Sequence, residues 1–245
     1  MRWTRPVLTT IACALLATGC GDDGDTATPD AAPPTPTFAP GESPYGMSMS
    51  QWAAGWWTWA LELPRTGHPL MGGPCTAGQA GDVFFIAGNF GGTEARTCTV
   101  PAGKALFFPI LNSLCWPAPE TEGCETLGTT AELTRCAGDI FDIGPAHTMT
   151  VTIDGETIAD PESYRTGTGR FSWPPPPFAE SEWIAPSLGP IPANTCGVPE
   201  GDRYGVGDGY WMMLRPLAPG PHVLRIAGSI AGTFSLDVTY QLTQV

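Results

Sequence analysis

The side chains that could do chemistry are few and scattered. The three histidines, His68, His147 and His222, are the chain's only imidazoles, and imidazole is the usual general base near neutral pH as well as the commonest metal ligand. None lies in an H-E-x-x-H pair, and nothing in their spacing requires them to meet, so no metal and no cofactor is expected. Asp82, Asn112 and Asp208 fall with His68 in loops or at strand ends, where sites are built and where turn residues also collect. A lone loop histidine such as His68 is more often a surface hydrogen-bonding group. Asp139 and Asp142 stand three residues apart on a polar helical face and read as solvated charges. Trp57, Trp173 and Trp183 offer aromatic faces on which a sugar or peptide could stack. The ligand-binding candidates are therefore Trp57, His68, Asn112, Trp173, Trp183 and Asp208. The Gly103-Lys104-Ala105 step lacks both the earlier glycine and the Ser or Thr of a phosphate loop, and there is no G-x-S-x-G.

These residues need a frame, and its strongest signal is Ser48–Leu63. This stretch holds four of the nine tryptophans. Ser48 with Gln51 matches a capping box, and Pro64 ends the helix. At about 100° per residue, Trp52, Trp56, Trp59 and Leu63 form one apolar stripe, which predicts a core helix lying on a sheet. Trp57 lies roughly 140° from Trp52 on that count, off the stripe, which makes it the best candidate to line a groove.

Strand-like runs follow at Asp82–Ala87, Thr97–Val100 and Ala105–Leu111. The last is apolar on both faces and should be central or covered by a helix, and Pro109 within it suggests an end or a bulge. The second and third could form a hairpin through Pro101-Ala102-Gly103. Thr129 with Glu132 marks a second helix over Ala131–Ile143, with Leu133, Cys136, Ala137, Ile140 and Phe141 inward and Glu132, Arg135 and Asp139 outward. His147–Ile153 alternates, and Asp154-Gly155 signals a turn into Glu156–Ala159. From Asp160 to Gly205 regular structure is scarce, apart from a polyproline II rod at the four prolines 174–177. Tyr210–Leu214, His222–Gly228 and Phe234–Thr243 read as a three-strand meander, with His222 exposed at the start of its strand. The expected fold is mainly β: an antiparallel two-layer sandwich or jelly roll with two packed helices and loops pinned by disulfides.

The N-terminus places this domain. Arg2 and Arg5 precede the apolar run Val7–Leu16, which is too short to span a bilayer and reads as an export signal, residues 1–19. Ala17-Thr18-Gly19-Cys20 resembles the lipobox of bacterial lipoproteins, with Ala17 where the pattern prefers Leu. That resemblance implies cleavage before Cys20, lipid on its thiol and amine, and attachment to a bacterial membrane, the outer one if there are two. Residues 20–44 then form an acidic, Pro-rich tether with five acidic and no basic residues. Its GDDGD cluster lacks the spacing and closing Glu of a calcium loop.

Residues 45–245 suffice for one domain with a core. Without Arg2, Arg5 and the five tether acids, 9 basic residues face 19 acidic ones, which excludes a phosphate-binding surface and hence nucleic acid. Beyond Cys13 and Cys20, six cysteines remain of the eight: Cys75, Cys98, Cys115, Cys124, Cys136 and Cys196. An even count in an exported chain reads as disulfides. Cys75–Cys98 is the first choice because it joins the ends of a hairpin-sized segment, and Cys115 pairs with Cys124 or Cys136. No C-x2-C pair points to zinc.

Taken together, W-x3-WW-x-W at 52–59, HPL at 68–70, C-x2-GQ-x-G-x-V from Cys75, C-x-VPAGKALFFPILN from Cys98 and DGYW-x2-L-x-PL-x-PG-x-H from Asp208 resemble an uncharacterised family of bacterial exported proteins. The resemblance implies an exported bacterial domain and carries no activity with it. The expected function is a lipid-anchored extracytoplasmic binding or interaction module for a carbohydrate or peptide. The alternative is an extracytoplasmic hydrolase or lyase in which acids and His68 converge across loops. The anchor has a direct test. Cys20→Ser should move the protein from the membrane to the soluble fraction, and retention at the membrane would refute lipid attachment.

Overall fold

The central strand is apolar on both faces and is covered on both. The computed structural model describes residues 36–117, 128–144, 146–174, 182, 184 and 203–245. In it β3 (Ala105–Cys115) lies between β1 (Val83–Phe85) and β7 (Arg203–Leu214), with β6 (Arg170–Trp173) at the far edge of β7, to make sheet I in the order β1-β3-β7-β6. Leu106, Phe108, Ile110, Tyr210, Met212 and Leu214 face sheet II, whose order is β2-β9-β8-β4-β5. Its strands are β2 (Gly92–Val100), β4 (His147–Ile153), β5 (Glu156–Thr157), β8 (Gly220–Ile230) and β9 (Phe234–Gln244). Ala105, Phe107, Trp211 and Met213 face the other way, onto helix α1 (Met49–Glu62). Helix α2 (Thr130–Asp142) packs Leu133 and Ala137 on Val206 of β7. The protein is a mainly β sandwich with two packed helices.

Local signals fix the helix starts. Both capping boxes are complete: Ser48 with Gln51 and Thr129 with Glu132 exchange their bonds in each direction. Trp56 is buried on α1, and its Nε1 donates to Ile86 O at 3.0 Å. Phe107 and Trp211 stack with ring centroids 5.7 Å apart beneath it. Asp154 and Gly155, at φ 52° and 85°, make the tight turn from β4 to β5. The strand register shifts between Pro109 and Leu111, the irregularity that an in-strand proline foretells. Cys75–Cys98 and Cys115–Cys136 are disulfides, which fit an oxidising compartment.

Several expectations are corrected. β2 and β3 do not form a hairpin. The Pro101–Lys104 turn hands the chain from sheet II to sheet I, because β3 needs cover on both faces while β2 alternates and needs it on one. β2 instead pairs in parallel with β9, and β1 in parallel with β3, while the other five ladders are antiparallel. The closing meander is only a β8–β9 hairpin, since β7 belongs to sheet I. Residues 36–44, tether by composition, pack on the domain. Thr37 is buried and bridges Leu214, and the Arg215 guanidinium lies 4.1 Å over the Phe38 ring. The signal, Cys20, Cys124, Cys196, Trp183 and Pro175–Pro177 of the polyproline rod lie outside the described residues.

Strand β7 also begins seven residues before the expected Tyr210. Its first half, Arg203–Gly209, holds glycine at every second position, which reads as a loop. The glycines are required by packing. A Cβ on Gly205 would sit 2.9 Å from Cys115 O, and one on Gly207 would sit 2.6 Å from Trp57 Nε1. The rings of α1 and β6 lie directly on this strand. Gly207→Ala should therefore lower stability by roughly 1–3 kcal/mol through overpacking. Gly167→Ala, whose Cβ meets only Gly207 O at 3.5 Å, should be close to neutral. Urea unfolding midpoints of the two variants check this, and equal midpoints would contradict it.

Candidate functional site

One opening among the described residues lies where sheet I runs out of strand. β1 pairs with β3 only at Ala105, Leu106 and Phe107. Beyond it the chain turns away, so Pro109–Asn112 has no paired strand on that side among the described residues. Pro109 has no N–H to leave unpaired there. A pocket of about 290 Å³ opens at this place between the two sheets. Its walls are Pro109–Asn112, Ile230, Phe234 and Leu236 of the β8–β9 hairpin, Ile140 of α2, and Trp56, Leu70, Gly88 and Asn89.

Two residues of sheet II hold the outer wall. Arg96 and Tyr240 are register partners on β2 and β9. Arg96 donates to Pro69 O at 2.8 Å, Gly88 O at 3.1 Å and the Tyr240 hydroxyl at 2.9 Å, and pairs with Glu94 at 2.6 Å. The Tyr240 hydroxyl donates to Ala87 O. Leu70 and Gly88 are thus fixed from behind. Sequence reasoning missed both residues because β2 was expected to begin at Thr97, which left Arg96 in a turn.

Among the described residues, Asn112 is the one sequence candidate that lines the pocket. Its Nδ2 is buried without a hydrogen-bond partner. The other polar wall groups are engaged locally. Asn89 accepts from Gly91 N at 3.0 Å and donates to Gly92 O at 3.4 Å, and the Thr233 hydroxyl donates to Ala231 O at 3.4 Å.

The remaining candidates are elsewhere. Trp57 is not a groove residue. It is 4% exposed, edge-on to Trp56 at 5.1 Å, because β6 raises a second wall beside α1 and Gly207 admits its ring. Trp173 is part of that wall, buried against Phe171 at 5.4 Å. His68 is not on the surface. It is 1% exposed, its Nε2 donates to Ala60 O at 2.8 Å, and its Nδ1 accepts from Leu70 N at 3.0 Å. This fixes one neutral tautomer and places Leu70 on the pocket wall.

Asp208 belongs to a polar cluster joining α2, β4 and β7. Arg165 pairs with Asp208 at 2.9 Å and with Asp142 at 2.5 Å, and these bonds raise its pKa further. His147 Nε2 lies 2.9 Å from the Tyr210 hydroxyl and 3.2 Å from Glu162 Oε2. Burial, with the Glu162 carboxylate adding to it, pushes the Tyr210 phenol up to about 12. Acids and a histidine do converge, but the histidine is His147. Each of these groups already has a partner within the cluster. Asp82 does not join it.

No protein-family model, curated protein or solved structure matches this chain. Among the described residues no helix is long and apolar enough to cross a membrane.

Two histidines give the fold opposite responses to pH. Burial pulls His68 below its ordinary value of 6.5, against a smaller opposing effect of the Ala60 carbonyl. Its stabilising effect is complete above 6.5 and is lost as pH falls through its lowered native value. His222 was expected to be exposed, but its ring is held at both nitrogens. It faces Asp154 Oδ2 at 2.7 Å and Ala218 O at 2.8 Å, so both nitrogens must donate, and the bond to Asp154 raises its pKa above 6.5. Its contribution is complete below 6.5 and is lost as pH rises through the raised value. Urea midpoints measured across pH 5 to 8.5 should show that His68→Gln weakens the acid-side fall and His222→Gln the alkaline-side fall. Parallel profiles for all three proteins would refute both assignments.

Proposed function

We propose that this chain is a lipid-anchored, extracytoplasmic binding module that takes a small molecule in the pocket between its sheets. The carrying observation is the pocket itself, which opens at the free edge of β3 between the two sheets and is walled mainly by apolar side chains with Asn89, Asn112 and Thr233 among them. The size supports the reading: about 290 Å³ is near the lower end of the roughly 300–1,000 Å³ of small-molecule sites. The export signal, the lipobox resemblance at Cys20, the two disulfides and the likeness to bacterial exported proteins support the location. Stacking of a glycan or peptide on Trp57 or Trp173 is not part of the proposal, because both rings are inside. The hydrolase reading loses His68, whose ring nitrogens are both engaged by backbone.

Trp56 lines the pocket and supplies an optical signal. Titration with a panel of small neutral ketones, amides, alcohols and hydrocarbons should change indole emission saturably. Leu236→Phe, which reduces the pocket, should abolish the change while keeping the native circular dichroism spectrum. If no member of the panel gives a saturable change in the wild-type protein, the proposal is wrong.

A further inference from the structure

A second opening lies at the opposite end of β1, and this one carries a charge. Residues 76–81, the end of β2 and the Pro101–Lys104 turn enclose a cleft of about 390 Å³. Its walls are held in place by the protein alone. The Cys75–Cys98 disulfide ties the loop to β2 and so sets Thr76 and Thr99, each the next residue along, in the lining. The Gln79 side chain donates to Cys75 O at 2.9 Å and to Phe85 O at 2.7 Å and accepts from Phe85 N at 2.8 Å, which fixes the loop against β1. Gln244 Nε2 donates to Pro101 O at 3.2 Å and Lys104 O at 3.5 Å, which fixes the turn.

Lys104 is the chain's only lysine, and it lines this cleft. Its Nζ reaches from the turn to the loop and donates to Gly81 O. An ammonium has three donors, so two remain. No acidic side chain lines the cleft, and Lys104 has no carboxylate partner among the described residues. The Thr76 and Thr99 hydroxyls also have no hydrogen-bond partner among them. We infer that this cleft is a second binding site, separate from the pocket at β3, for a small carboxylic acid with an apolar body, and that Lys104 reads the carboxylate. A single cation offsets a single negative charge, and in a domain with 19 acidic and 9 basic residues a doubly charged phosphate or sulfate would meet more repulsion. Val83, Phe84 and Pro101 offer the apolar lining for the rest of the molecule.

Hexanoate and benzoate, each compared with its uncharged amide, test this on the isotope-labelled chain at neutral pH. Amide shifts at Thr76, Gly81, Thr99 and Lys104 should move saturably with the acids. The acids should bind about threefold to tenfold more tightly than the amides, as for a partly exposed ion pair. Lys104→Gln should abolish that preference, and Lys104→Arg, which keeps the charge, should retain most of it. The comparison on the wild-type chain stands without either variant if the glutamine variant does not fold. Equal affinities for acid and amide, shifts that saturate only elsewhere in the chain, or a preference that Lys104→Gln leaves intact would overturn the inference. The pocket between the sheets is read separately, from Trp56 emission, so the two sites succeed or fail independently.

Discussion

Strand β3 is apolar on both faces, and water cannot be allowed on either. From Ala105 to Leu111 every residue is buried. That requirement makes sheet I the middle layer of the molecule. On one side it takes sheet II, with Leu106, Phe108 and Ile110 in the shared core. On the other it takes α1, with Phe107 and Trp211 of sheet I beneath its tryptophans. The Pro101–Lys104 turn follows from the same need, since a hairpin would have left β3 in the plane of β2.

The tryptophan helix shows what a single-element reading can see and what it cannot. Capping box, stripe and terminating proline were all legible in local sequence. The fate of Trp57 was not, because helical angles locate one apolar face and say nothing of a second wall. That wall, β6 with Phe171 and Trp173, alternates over only four residues, too short a run to stand out as a strand. The floor, β7, hides its identity behind Gly205, Gly207 and Gly209, residues that lower strand propensity and are there because rings and carbonyls press on the backbone. Propensity measures the isolated chain, whereas these glycines answer to the packed one.

The candidate site was legible only in part, for a related reason. Asn112 could be singled out from its place near the end of an apolar strand. That its amide would be left without a partner depends on β1 being short, on the shift after Pro109 and on the β8–β9 hairpin closing the far side. None of these is local to Asn112. Arg96 and Tyr240 are 144 positions apart and meet only because β2 adds in parallel to β9. His68 looked like a surface group because loop histidines usually are, yet the carbonyl of Ala60 at the end of α1 and the N–H of Leu70 draw it inside. It acts on the pocket only through the placement of Leu70. The disulfides were partly legible: spacing pointed to Cys75–Cys98 and left two partners open for Cys115, which the docking of α2 on β7 resolves in favour of Cys136.

The account stands on the pocket being preformed, apolar and accessible. Xenon tests this without presupposing the ligand, because it enters dry apolar cavities and has no polar preference. Amide shifts of the isotope-labelled protein under increasing xenon pressure should move saturably at Ile110–Asn112, Ile140, Ile230 and Phe234–Leu236, and little elsewhere. Shifts that stay linear with pressure, or that saturate only around Trp57 and Trp173, would contradict it.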